Sequence, residues 1–293
     1  MTAISVLIPT FNYVCVDLVR SLHQQLQRLD ADYEIIVADD GSTNHDTVVA
    51  NRAIHGMEHC RYVERQQNVG RAAIRNFLAS ESQFPLLLFI DSDMVVTRDD
   101  FMEAYLKEAD AQVVDGGVQI RGDEQRNKHN LRFIYEKKSE ELHNADARQR
   151  NPYCDFHTAN FMVHRDVMTA HPFDLRFRHY GYEDVLFGKT MRQNGIVIRH
   201  IDNPLSFEVF ETNSEFVEKT EEGMRTLHQF QEELRGYNHL LTMAGVLRRG
   251  MMSPLIRCWH RLFGPLIRRN LTGNRPCLRL FNVYKLGYFL SLQ

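Results

Sequence analysis

Strand-like and helix-like runs alternate through the first third of the chain, and this alternation limits the possible folds more than any other feature. The strand-like runs are residues 4–8, 33–38, 60–64 and 86–90, with helix-like runs near 16–29, 46–55 and 70–80 between them. A βαβαβαβ order joins parallel strands by right-handed crossovers. The expected fold is α/β, a mostly parallel doubly wound sheet. Its last run, Phe84-Pro85-Leu86-Leu87-Leu88-Phe89-Ile90, has the length and continuous apolar character of a strand buried on both faces. Directly behind it stands Asp91-Ser92-Asp93. Open sheets of this kind bind ligands at the carboxyl ends of their strands. Oxygen ligands two positions apart suit a hard divalent cation, Mn²⁺ or Mg²⁺, and such a cation suits a diphosphate. Asp30-Ala31-Asp32 repeats the spacing without a strand in front and reads as a solvated helix end.

Further along, residues 110–121 read as another strand, 131–147 as a charged helix, 158–164 as a strand, 183–194 as a helix stopped by Gly195, and 212–235 as one more helix. Cys15, Cys60, Cys154, Cys258 and Cys277 are scattered and form no Cys-x-x-Cys pair, which fits free thiols in a reducing compartment. No basic and apolar leader precedes residues 4–8, and no apolar stretch approaches the roughly 18 residues needed to span a bilayer. These features place the expectation in the cytoplasm.

Charge divides the chain. Glu233 is the last acidic residue, and ten basic residues follow it: Arg235, Arg248, Arg249, Arg257, Arg261, Arg268, Arg269, Arg275, Arg279 and Lys285. Trp259, Leu262, Phe263, Leu266 and Ile267 are interleaved with them. This pattern suits a helical appendage over 236–293, beyond a main domain of 1–235. Its apolar residues either pack on that domain or rest, with the arginines, on an anionic membrane face. Nothing in the pattern suggests a nucleic-acid partner.

Four further segments bear chemistry-competent groups. Ile8-Pro9-Thr10-Phe11-Asn12 closes the first strand with polar groups at its end. Asp39-Asp40-Gly41-Ser42 closes the second, where a carboxylate meets a nucleoside or caps a turn. Asn68-Val69-Gly70 opens a helix on which Arg71 and Arg75, one turn apart, face either a diphosphate or solvent. Gly181-Tyr182-Glu183-Asp184 pairs two acids at a helix start, as a favourable charge arrangement or as a general base near a reacting hydroxyl.

In this order the segments resemble family 2 glycosyltransferases with the GT-A fold, over about residues 1–235. The resemblance implies a Rossmann-like domain, a nucleotide-sugar donor, UDP-linked, and inverting transfer to a glycan or lipid-linked acceptor in polysaccharide biosynthesis; the basic, apolar tail is what would make the chain peripheral on the inner membrane face. Pro9, Thr10, Asn12, Asp39, Asp40, Gly70, Arg71, Arg75 and Asp91 would bind the donor. Asp91 and Asp93 would hold the cation, Asp184 would be the base, and Glu183 would orient it or the acceptor. Relatives often carry a further histidine ligand after the Glu-Asp helix. Phe207 stands there in this chain, and His200 is the substitute candidate. The rivals are a haloacid-dehalogenase-type phosphatase with Asp91 as nucleophile, a sugar nucleotidyltransferase, and a non-catalytic sugar-nucleotide-binding relative. The first two leave the segments before Asp91 unexplained or mismatched.

Overall fold

The computed structural model describes residues 2–292, apart from the side chains at 141 and 142. The strands are β1 (Thr2–Thr10), β2 (Ala31–Asp39), β3 (Cys60–Glu64), β4 (Leu86–Ile90), β5 (Met94–Val95), β6 (Val113–Asp115), β7 (Val118–Ile120), β8 (Asn160–His164), β9 (Ile198–His200) and β10 (Leu205–Phe207). Seven form one sheet in the order β3-β2-β1-β4-β8-β6-β9, and β5-β10-β7 form a small second sheet. The first four strands are parallel, as the alternation implies. β8 runs antiparallel to both of its neighbours.

Alternate residues feed two apolar layers. Ile4, Val6 and Ile8 meet Leu18, Leu22 and Leu26 on one face of the sheet. Leu7 and Phe89 meet Ala72, Ile74 and Leu78 on the other. Burial on both faces explains why the strand sequences read as continuous apolar runs. Each fully buried side chain of this kind contributes about 1.5–3 kcal/mol.

The structure corrects three local expectations. Residues 110–121 form two strands, β6 and β7, which belong to different sheets. The chain crosses between the sheets at Gly116-Gly117. A side chain at Gly116 would run into the Tyr105 hydroxyl and Asn160, and Gly117 has φ +81°. The single helix expected over 131–147 is a helix Leu131–Ser139, a 3₁₀ turn Glu140–His143 and a helix Ala145–Arg150 that restarts on the Asn144 cap. Asp32 lies in β2, so the Asp30–Asp32 repeat marks a strand start rather than a helix end.

After β10, helix Asn213–Gln229 opens on a Thr212/Glu215 capping box. Helices His239–Arg249, Ser253–Leu271 and Leu278–Ser291 follow. Residues from both sides of position 236 share apolar clusters: Met224, Leu227 and Phe230 with Phe289 and Leu290, and Phe216 and Val217 with Ile267, Phe281 and Tyr284.

Candidate active site

The ends of β1, β2 and β4 lie side by side because the strands are parallel and in register, Thr10 opposite Asp39. The loops behind them tie together. Asn12 sits at φ +53°, a conformation asparagine tolerates. Its Oδ1 accepts the amides of Thr43 (2.9 Å) and Asn44 (2.8 Å), and its own amide donates to Ser42 Oγ (2.7 Å). Asp39 is 2% exposed. One of its oxygens accepts the Ser42 amide at 2.6 Å and the other the Tyr62 hydroxyl at 2.5 Å. Asp40 accepts the amides of Val69 and Gly70, each at 3.0 Å, and so fixes the loop that opens helix Arg71–Glu81.

These bonds shape a cavity of about 410 Å³ whose lining includes Pro9, Thr10, Asp40, Gly70, Arg71, Arg75, Asp91 and Asp93. A second cavity of about 260 Å³ adjoins it, with Glu183, Asp184, Arg132, His157 and Phe207 in its wall. The two share Arg71, Asp91, Asp93, Tyr180 and Lys219. Of the residues singled out from sequence, Asn12, Asp39 and His200 line neither cavity. Asn12 and Asp39 instead hold the Ser42–Asn44 turn that follows Asp40.

Charge at the junction is organised around Arg75, which is 1% exposed. Its Nη2 donates to Asp91 Oδ1 at 2.6 Å, and its Nη1 lies 3.5 Å from Glu183 Oε1. Arg71 stands 3.8 Å from the other Asp91 oxygen, its guanidinium 5.0 Å from the Tyr180 ring centre. Of the two arginines, then, Arg75 is a buried strut and Arg71 reaches the open space. Asp93 makes no ion pair among the described residues. Burial, reinforced by the charge of Asp91, pushes the Asp93 carboxyl above the ordinary carboxylate range. A buried carboxyl raised in this way by a negative neighbour is what a cation relieves. The pair fits a hard divalent ion bound through one or two carboxylates plus substrate phosphates. Among the described residues there is no metal-ready group of three or more His, Cys, Asp or Glu.

Asp184 opens helix Glu183–Gln193 after Gly181 (φ +96°) and Tyr182 (φ +71°), a left-handed pair that turns the acids toward the second cavity. Burial and the adjacent Glu183 raise its carboxyl to about 6. A carboxylate of that pKa is ionised at neutral pH and has gained basicity.

The structure does not bring His200 to the aspartate pair. Its Nε2 pairs with the Pro152 carbonyl at 2.9 Å, and its Nδ1 lies 3.0 Å from Arg148 and 3.4 Å from Asp115. Asp115 and Arg148, 2.8 Å apart, complete a buried network that braces β6, β9 and the His157 amide. Phe207 does line the second cavity, with the Arg132 guanidinium 4.3 Å from its ring centre. An aromatic–cation pair thus occupies the position where the resemblance implies a histidine.

The glycosyl transferase family 2 model matches residues 5–170, more than half of the chain. The chain belongs to glycosyltransferase family 2. An uncharacterized glycosyltransferase of Haemophilus influenzae is 29% identical over 102 residues, which cover 34% of this chain and 39% of that relative. The match therefore spans about two-fifths of the length of this curated relative. Among solved structures, the mannosyltransferase PcManGT from Pyrobaculum calidifontis, in complex with GDP-Man and Mn2+, superposes with a TM-score of 0.57 at 14% identity, over 99% of this chain and 86% of that one. S. aureus TarS 1-349 in complex with UDP gives 0.51 at 16% identity, over 99% and 90%. At these identities the likeness is one of fold, and the fold is GT-A-like. Family membership removes the phosphatase and nucleotidyltransferase rivals, and Asp91, locked to Arg75, is not a free nucleophile.

In this family 2 chain, sequence reasoning missed Tyr180, Lys219, Arg132 and His157, which line the cavities. Lys219 and Arg132 look like ordinary charges on helices. Tyr180 alone had a signal, its place beside the Gly181-Tyr182 turn.

Proposed function

We propose that the chain transfers a sugar from a nucleotide-sugar donor, UDP-linked, to a hydroxyl of a glycan or lipid-linked acceptor, with inversion at the anomeric carbon. The observation that carries this reading is the meeting of two cavities at Asp91 and Asp93, with Asp184 in the second. The nucleotide would occupy the larger cavity, between Pro9-Thr10 and Gly70-Arg71. Its diphosphate would reach Asp91 and Asp93, which would hold Mn²⁺ or Mg²⁺. Bound there, the cation supplies positive charge to the departing nucleoside diphosphate. Arg71 and Lys219, in the walls of both cavities, would add fixed positive charge at the same place.

The acceptor would enter the second cavity. Asp184 takes the acceptor hydroxyl proton as that oxygen bonds to the anomeric carbon. The bond from that carbon to the diphosphate breaks on the opposite face. Glu183 is held by Arg75 and orients the helix start that carries Asp184. Residues 1–235 act as the GT-A domain and 236–293 as its appendage. The reading includes a role in polysaccharide biosynthesis, on the cytoplasmic side and peripheral to the membrane. The test is a screen of nucleotide sugars for release of nucleoside diphosphate, in Mn²⁺, Mg²⁺ and chelator. The reading predicts release that requires both an acceptor and a cation, and release unaffected by chelator would remove the cation from it.

A further inference from the structure

Helix Ser253–Leu271 packs one stripe against the protein and carries a second, apolar stripe that does not pack there. The buried stripe is Ser253, His260, Gly264, Ile267 and Leu271. At 3.6 residues per turn these five fall within about 60° of one another. Leu255, Trp259, Leu262 and Leu266 fall within about 60° of one another on a second stripe, centred about 140° from the first. This second stripe faces outward: Leu255, Leu262 and Leu266 are 64%, 65% and 64% exposed. Phe263 borders it, its ring 5.6 Å from that of Trp259. Met251 and Met252, just before the helix, are exposed as well.

The charged positions of this helix, Arg257, Arg261, Arg268 and Arg269, all carry one sign. No acidic residue follows Glu233. Among the described residues Arg249, Arg257, Arg261, Arg269, Arg275 and Arg279 enter no ion pair, whereas Arg268 is taken by Glu221. A second copy docked through this face would set arginines against arginines. An apolar strip with Arg269 at one edge, and Arg261 and Arg257 farther round the same side of the helix, matches the boundary between acyl chains and anionic headgroups. No helix among the described residues is long and apolar enough to cross a membrane. The helix suits lying along the surface instead, for about 28 Å of its length.

We infer that helix Ser253–Leu271 lies in the surface of an anionic lipid bilayer, with Leu255, Trp259, Leu262 and Leu266 inserted and the neighbouring arginines on the headgroups. This deepens the peripheral location proposed above by naming the surface and its ligand class. Docking is read without donor or acceptor, so a failure to dock leaves the transfer reading standing, and a failure to transfer leaves docking standing.

Trp259 is the chain's only tryptophan, so its emission reports this face directly. The experiment titrates the full chain with phosphatidylglycerol and phosphatidylcholine vesicles, following Trp259 emission and co-sedimentation. The expected result is a blue shift and co-sedimentation with phosphatidylglycerol, with binding to phosphatidylcholine at least tenfold weaker by virtue of the arginines. A variant carrying Leu262→Glu and Leu266→Glu should lose binding while keeping its circular dichroism and Tm, because both side chains point away from the protein. A variant carrying Arg261→Glu and Arg269→Glu should bind phosphatidylglycerol about tenfold more weakly or worse. Absence of any shift or co-sedimentation at low salt would overturn the inference. So would unchanged binding by the Leu262/Leu266 variant, or a blue shift that grows with protein concentration in the absence of lipid, which would assign the face to a second copy.

Discussion

The two cavities that meet at Asp91 and Asp93 are built in different ways. The larger one is walled mainly by strand ends and the loops that follow them, where Pro9-Thr10, Asp40, Gly70-Arg71 and Asp91–Asp93 arrive as short consecutive segments. The smaller one has two such segments, His157–Ala159 and Tyr180–Asp184, and completes its wall from scattered elements: Ile120 from β7, Arg132 and Glu136 from one helix, Arg148 from another, Phe207 from β10 and Lys219 from the helix after it. Parallel strands in register deliver their ends to one place, so a nucleotide-side wall can be assembled from local motifs. The opposite wall depends on how distant elements pack. The proposed function gives donor binding to the first wall and proton removal to the second, and mutations should separate them.

The largest expected effect is at the junction itself. Asp93→Ala should lower transfer by about 10³-fold or more and weaken cation-dependent donor binding, since it removes charge where the proposed function puts the departing diphosphate. Asp93 is the cleaner probe, because Asp91→Asn also removes the negative charge that lies 2.6 Å from Arg75. That leaves the buried Arg75 only Glu183, at 3.5 Å, to balance its charge, so Asp91→Asn should also lower Tm. Donor titrations with and without Mn²⁺, beside thermal melts, distinguish the two variants. Full activity of Asp93→Ala would end the claim that the cavities share a cation.

Asp184→Asn should lower kcat by roughly 10²–10⁴-fold and leave donor affinity nearly unchanged. The same carboxyl predicts a pH profile. With Asp184 raised to about 6, wild-type transfer should rise as pH climbs through that value and level off above it. The stability effect has the opposite sign, because a raised carboxyl is penalised when ionised. Asp184→Asn should therefore melt higher than wild type at pH 8. The gain should shrink as pH falls through about 6 and vanish below the unfolded carboxyl's value near 4. A variant that melts no higher at pH 8 would remove burial as the cause of the shift.

The same contrast decides how much was readable in the chain. β3 and β4 match the expected runs to the residue, and β1 and β2 extend them by one or two residues at each end. Continuous apolar runs between helical ones are a strong signal because both sheet faces are covered. The misread stretch, 110–121, failed because strand propensity does not register a crossing between two sheets. Only the glycine pair marked it, and Tyr105, Asn160 and Arg148, which make the glycines necessary, are distant in sequence. Asp39 and Asp40 looked equivalent, yet Asp39 turns inward to Tyr62 while Asp40 lines the cavity. Alternation along a strand end settles that, and the Tyr62 partner from β3 is visible only in three dimensions.

A smaller effect is expected at Asp40. Asp40→Asn replaces one acceptor oxygen with a donor facing the amides of Val69 and Gly70, so the loop before Arg71 should loosen. A hydrogen bond to a charged group contributes about 1.5–3 kcal/mol, and the account expects a KM for donor raised about tenfold with kcat little changed. A fall in kcat alone would place Asp40 on the wrong side of the comparison.

The smallest effect on chemistry belongs to His200. His200→Ala should leave the cation requirement unchanged and lower Tm, since the imidazole bridges Pro152 and the Arg148–Asp115 pair. Loss of a buried hydrogen-bonding group costs about 1–3 kcal/mol. A cation affinity that falls in His200→Ala would reinstate it as a ligand.

The most direct test of the two-wall account is a paired measurement on wild type and Asp184→Asn with the nucleotide sugar that the release screen identifies. Donor affinity in Mn²⁺ is measured by titration, and nucleoside diphosphate release by single turnover with acceptor. The account predicts equal affinity for the two proteins and release at least 10²-fold slower in the variant. Equal release by both proteins, or a matching collapse of donor affinity in Asp184→Asn, would contradict the division of labour between the cavities.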